Sequence, residues 1–111
     1  MTDQVCPFPN YPAKRVTMLL KVRDHDHHGS LLVHIMQRAR KAKLAGATAF
    51  EALEGFGASG HIHRTRSMTD DAPVVLIIVD RPERIDAFLE QEADLLKKTF
   101  ITLSDVTVIE L

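Results

Sequence analysis

Residues 47–66 read ATAFEALEGFGASGHIHRTR, and the fold is decided by how this stretch divides. Its first ten residues, Ala47 to Phe56, have the short, apolar-studded character of a strand, and Gly55 and Gly57 end it. Glycine weakens a strand and opens backbone conformations closed to other residues. The next segment, residues 57–72, is longer than a compact hairpin needs, and connections of that length within a small domain tend to carry function. The stretch therefore predicts a strand leading into a functional arm.

Working outward, Pro73 introduces Val74-Val75-Leu76-Ile77-Ile78-Val79, a short β-branched run that favours a strand apolar on both sides. On the N-terminal side, Val16, Met18, Leu20 and Val22 alternate with Arg15, Thr17 and Lys21, the pattern of a strand with one core-facing side. Ser30 is a good N-cap for a helix in which Leu31, Leu32, Ile35, Ala39 and Ala42 recur at three- and four-residue spacing, with Gly46 as its stop. Asp80 and Glu83 have capping-box spacing around Pro82, and Ile85, Phe88, Leu89 and Leu96 make the stripe of a second helix, interrupted by Glu92. Val106, Val108, Ile109 and Leu111 form a short closing strand. Residues 1–14, with three prolines and no period, read as a flexible tail before a single domain over 15–111.

The order β-α-β-β-α-β is the split β-α-β plan, an α+β ferredoxin-like fold with a four-stranded antiparallel sheet and both helices on one face. The other face is left bare, and the alternation places Leu19, Leu53 and Ile109 on it. An uncovered apolar face is removed most simply by association.

Composition narrows the partners. In 111 residues, 14 Lys and Arg against 15 Asp and Glu leave a net charge of -1, which gives no basic field for nucleic acid or an anionic membrane. No apolar run is long enough to span a bilayer and no signal peptide is recognisable, so a cytoplasmic location is expected. The single cysteine, Cys6, lies outside the patterned region.

Three groups of residues carry chemistry. In the arm, Gly55, Gly57 and Gly60 allow backbone amides to approach an anion, and Ser59, His63, Arg64 and Arg66 add polar and cationic contacts. Near the first helix, Asp24, His25, Asp26, His27 and His28 are adjacent potential metal ligands, and His61 with His63 forms an i, i+2 pair. Of these, His27, His28 and His61 are the candidate ligands of a divalent metal, set against the plainer reading of a solvated turn before the helix. His34, inside the helix, reads as a surface or edge residue. Glu51 and Glu54 fall on opposite faces of a strand, and Ser59 with a neighbouring histidine lacks the rest of a hydrolytic set, so no enzyme is expected.

The segment GATAFEALEGFGASGHIHRTR, then DDAPVVLIIVDRPERIDAF and VTVIEL, resembles the PII-like family known as domain of unknown function 190. The likeness runs over about residues 15–111 and is densest at Glu54 to Gly60, Ile62-His63, and Pro73 to Asp80. The resemblance implies a homotrimer of the PII type, with open sheet faces meeting at the centre and the arm serving as a T-loop. It implies a small effector, an adenine nucleotide above all, bound between subunits at Gly55, Gly57, Ser59, Gly60, His63 and Arg66, and a partner such as a membrane transporter or channel. Kinship with copper-tolerance proteins implies a metal-binding alternative, and the family's association with ion channels implies another, a partner of a membrane transporter that acts without an effector. Two features depart from the pattern. Lys97 to Ser104 contains no glycine where PII proteins hold phosphate, and the approach to the first helix is unusually rich in histidine.

Overall fold

The structure, a computed structural model of the chain, describes residues 6–52, 54–56, 62–64 and 72–111, with 54–56 and 62–64 described as backbone. Its centre is a four-stranded antiparallel sheet of β1 (Asn10–Lys21), β4 (Ala47–Glu51), β7 (Pro73–Asp80) and β8 (Phe100–Ile109), in the order β4-β7-β1-β8. Two short ribbons branch from it: β2 (His25–Asp26) pairs with β3 (Gly29–Ser30), and β5 (Glu54–Phe56) pairs with β6 (Ile62–Arg64). The helices are α1 (Leu31–Lys41) and α2 (Pro82–Gln91). This is the expected ferredoxin-like arrangement.

Both helices lie on one face. Val16, Met18 and Leu20 of β1 and Val74, Leu76 and Ile78 of β7 meet Ile35 and Ala39 of α1 and Ile85 and Phe88 of α2 in one buried cluster. Each large aliphatic side chain so buried contributes about 1.5–3 kcal/mol, which makes this layer the main source of stability.

The alternate residues form the other face. In register, Phe50 of β4 stands opposite Val75, Val75 opposite Leu19, and Leu19 opposite Phe100, so four apolar side chains cross the whole sheet in one row. Phe50 and Leu19 are each 49% exposed and Phe100 is 62% exposed. Leu19 thus lies where expected. Ile109 does not, because it pairs with Asn10, whose parity is that of Val16 and Met18, and so belongs to the helix side. Leu53 lies outside the described residues.

Several boundaries differ from the sequence expectation, for identifiable reasons. β1 starts at Asn10, not Arg15, since residues 10–13 pair with β8 alone. With one neighbour instead of two, this stretch accommodates Pro12, which has no amide to give a second strand. β8 begins at Phe100, well before Val106. Its apolar residues change side along its length: Ile101 and Leu103 pair with Met18 and Val16, whereas Val106 and Val108 pair with Ala13 and Tyr11 on the opposite face. That change breaks the alternation by which a strand is recognised. Leu111 lies past its end and is exposed.

α1 ends without glycine. Lys43 takes the left-handed conformation (φ 58°), Lys43 N–H reaches Arg40 O, and Leu44 N–H reaches Ala39 O at 3.2 Å, closing the helix in the manner expected of a glycine cap. The guanidinium of Arg84 donates to the carbonyls of Ala42 and Lys43 and so holds this turn from α2. Nor does Asp80 cap α2, whose N-cap is Arg81. Its carboxylate instead accepts from Ala45 N–H (2.8 Å), Arg81 N–H (2.7 Å) and Arg84 Nε (3.0 Å), tying the α1–β4 loop to the end of β7. Burial pushes the Asp80 carboxyl up, but those three donors outweigh it and hold the carboxyl below its usual range. Glu92, which interrupts the α2 stripe, is buried and faces Arg38 of α1, with Nε 3.3 Å from Oε1.

Candidate functional site

The arm leaves the sheet and returns to it at fixed points. Ala52 N–H donates to Pro73 O at 2.8 Å, and Val22 N–H donates to Ala72 O at 3.0 Å, with Ala72 fully buried. Between these points the chain does not run as one strand through Phe56. β4 stops at Glu51, and β5 belongs to a separate ribbon with β6, in the register Glu54↔Arg64, Gly55↔His63 and Phe56↔Ile62. The physical cause is that β4 pairs only with β7, and Glu51↔Val74 is the last of its pairs. Of the residues expected to bind a ligand, Gly55 and His63 are brought opposite one another in this ribbon. Gly57, Ser59, Gly60 and Arg66 lie outside the described residues, as does His61.

The histidine-rich approach to α1 is more ordered than a solvated turn. Asp24 closes the end of β1: its carboxylate accepts from Lys21 N–H at 2.9 Å and its own N–H reaches Lys21 O at 3.0 Å. β2 and β3 then form a two-residue hairpin with His27 and His28 at its tip and Gly29 at φ +116°, a conformation that favours glycine. Asp26 Oδ1 accepts from His28 N–H at 2.8 Å, the local bond that fixes such a turn. Ser30 caps α1 through Val33 N–H, as its sequence position predicts.

His34 is the residue that sequence reasoning undervalued. Its Nδ1 contacts Asp26 Oδ2, and its ring stands perpendicular to that of His28 with centroids 5.4 Å apart. The hydrogen bond with His34 is the main influence on Asp26, and it holds the carboxyl below its usual range against the opposing effect of burial. The link spans eight residues and requires the hairpin, so spacing along the helix gives no sign of it. The only hint is an Asp four residues before a helix cap, preceding two turn residues and a glycine. Among the described residues, no three His, Cys, Asp or Glu side chains converge on a point that would hold a metal ion.

Two surfaces complete the description. An apolar groove of about 550 Å³ runs between α1 and the edge strand β4, bordered by Leu32, Met36, Leu44 and Ala47. On the far side of the sheet, the guanidinium of Arg81 stacks 4.0 Å from the ring centre of Tyr11. No helix among the described residues is long and apolar enough to cross a membrane.

Residues 13–108 match the model of the family DUF190, described as an uncharacterized ACR. A UPF0166 protein of Aquifex aeolicus (strain VF5) is 34% identical over 101 residues, covering 88% of this chain and 95% of that protein. Among solved structures, CPII from Thiomonas intermedia K12, a nitrogen regulatory PII-like protein bound to ADP, AMP and bicarbonate, superposes with a TM-score of 0.69 at 20% identity, over 93% of each chain. A Thermus thermophilus protein described as PII-like gives 0.67 at 17% identity, over 90% of this chain and 92% of that one. At those identities the structures speak for the fold, and with the sequence match they lead to one conclusion: the chain belongs to the DUF190 family and has a PII-like fold.

Proposed function

We propose that the protein is a PII-like regulator that assembles as a homotrimer through its bare sheet face, binds an adenine nucleotide between subunits, and presents its arm to a partner. The observation that carries this reading is the apolar row Phe50–Val75–Leu19–Phe100, which belongs to an interface more than to a solvated surface. That the symmetry is threefold is drawn from the family likeness.

The effector reading rests on the arm. Its paired base sets Gly55 opposite His63, and the same arm carries Gly57, Ser59, Gly60 and Arg66, a combination suited to a phosphate group through backbone amides and a bidentate guanidinium. CPII is bound to ADP, AMP and bicarbonate, which makes those the first ligands to offer. A nucleotide that contacts these residues in only one arm arrangement shifts the population towards it and so changes what the partner meets. The role is one of binding, without catalysis. A membrane transporter or channel is the partner class to test.

Calorimetry with ADP and AMP, with and without bicarbonate, tests the effector. Saturable binding that Arg66→Ala and Gly57→Ala each reduce at least tenfold supports the site. No binding of any nucleotide, or undiminished binding in both variants, overturns it. Light scattering tests the assembly, which should have three times the 12.4 kDa mass of the chain.

A further inference from the structure

We infer that His28 and His34 form a two-imidazole site for a divalent transition-metal ion of the zinc type, with Asp26 as the group that orients His34. The site uses no residue of the arm and does not depend on the nucleotide reading.

A carboxylate beside His34 Nδ1 accepts a hydrogen bond from it only where Nδ1 carries the proton, and in the neutral ring of that tautomer the lone pair lies on Nε2. The Asp26 and His34 side chains are only 15% and 20% exposed, so the ring is held before any ion arrives. A carboxylate behind the non-ligating nitrogen is the usual partner of a metal-bound imidazole, where it fixes the tautomer and raises the basicity of the ligand.

Two imidazoles sharing one ion at bonds of 2.0–2.1 Å and a tetrahedral angle have ring centres roughly 5.2 Å apart. His28 and His34 are 5.4 Å apart, and His28 is exposed at a hairpin tip, where its ring can turn a nitrogen towards the gap. One ligand is fixed and the other adjusts.

A groove of about 440 Å³ is lined by His28, Ser30, Val33, His34 and Gln37, with no cationic side chain among them to repel an ion. Ser30 and Gln37 offer hydrogen bonds to bound water. Because no third protein ligand converges there among the described residues, water or a small anion would fill the remaining positions, and the ion would exchange readily. Imidazole donors select zinc, copper or nickel over magnesium or calcium. A role limited to stapling the hairpin to α1 would account for the Asp26–His34 contact, but not for His28 standing beside it.

The test uses the full chain without a histidine tag and Zn²⁺ as the probe, in competition with a chromophoric chelator. One ion per chain is expected. His28→Ala and His34→Ala should each weaken binding at least tenfold, and Asp26→Asn about tenfold. The double variants His25→Ala/His27→Ala and His61→Ala/His63→Ala should stay within twofold of the parent. Long-range proton–nitrogen spectra of the unmutated protein provide a readout independent of variant folding. They should show zinc on Nε2 of His34 while Nδ1 keeps its proton. Unchanged affinity in His34→Ala, a comparable loss in either control, or zinc on Nδ1 of His34 would overturn the inference.

Discussion

Val75 and Leu76 are neighbours in β7 and point to opposite faces of the same sheet. Leu76 is fully buried beneath α1 and α2, whereas Val75 stands between Phe50 and Leu19 in a row that the helices never cover. Both are aliphatic, and both are surrounded by aliphatic or aromatic side chains. One face gains its burial when the chain folds, whereas on the other Leu19 and Phe50 each keep about half of their surface exposed (49%) in the single chain. On the proposed assembly, stability and association fall to alternate residues of single strands, and mutations on the two faces should report different quantities.

The largest effect is expected on the covered face. Leu76→Ala should lower the unfolding free energy by about 2–5 kcal/mol through lost burial and the cavity left between the helices and the sheet. Denaturant titration reads this directly, and the loss should not depend on protein concentration. Val75→Ala, one residue away, should cost much less in the dilute chain and show its effect as the concentration rises. Equal, concentration-independent losses would mean that the two faces are not distinct.

The next effect is electrostatic and belongs to the covered side. Asp80→Asn keeps the shape of the side chain and removes its charge, and should cost about 2 kcal/mol at neutral pH, since it weakens three bonds to a buried carboxylate. The folded protein holds the Asp80 carboxyl below its usual range, so the unfolded chain takes up this proton first as pH falls. The Asp80 contribution is therefore complete above the unfolded value of about 3.9 and is lost as pH falls through the folded value beneath it. Thermal melts from neutral to acid pH should show the gap between parent and variant narrowing across that window. A gap that stays constant would mean that the charge itself does not carry the contribution.

A smaller effect separates charge from packing between the helices. Arg38→Ala strands Glu92, which is 6% exposed, and should cost about 1 kcal/mol, less than a fully buried pair because Arg38 is 41% exposed. Glu92→Leu removes the buried charge along with its need for a partner and completes the apolar stripe of α2. It should be neutral or stabilising in the same melts. If Glu92→Leu destabilised the chain more than Arg38→Ala, the pair would have a role beyond compensating its own burial.

The sequence made the layers of this molecule legible and its fastenings much less so. The run from Val74 to Val79 reads as apolar on both sides because it is, and Leu19 marks the bare face for the same reason. Periodicity reports which side of a strand is covered, and burial is what imposes it. It does not report contacts made across the fold. Lys43 ends α1 in a turn whose carbonyls are held by Arg84, some forty residues later. Asp80 looks like a cap because its distant partner Ala45 is invisible in local spacing. His34 looks like a surface residue for the same reason, until a hairpin brings Asp26 to it. In the candidate nucleotide site, local sequence identified the residue types of the arm, and the backbone register then set Gly55 against His63, which no spacing rule would have paired.

The smallest expected effect on the fold bears most on function. Leu19→Ser and Phe100→Ser remove apolar side chains already half or more in solvent, so each should change the stability of the dilute chain by no more than about 0.5 kcal/mol. Circular dichroism should remain that of the parent. The assembly should respond quite differently, because every copy carries both residues and each substitution is repeated around the symmetry axis. Light scattering over a range of concentrations should show the double variant as a single chain where the parent, on the proposed assembly, is a trimer. On the same proposal nucleotide binding should fall with it, since a site between subunits would be lost when the subunits part. If the double variant stayed assembled, the interface would have to lie on the sheet edges at β4 or β8, and the bare face would need another occupant. If it came apart yet still bound nucleotide with the parent's affinity, the effector site would belong to one chain alone.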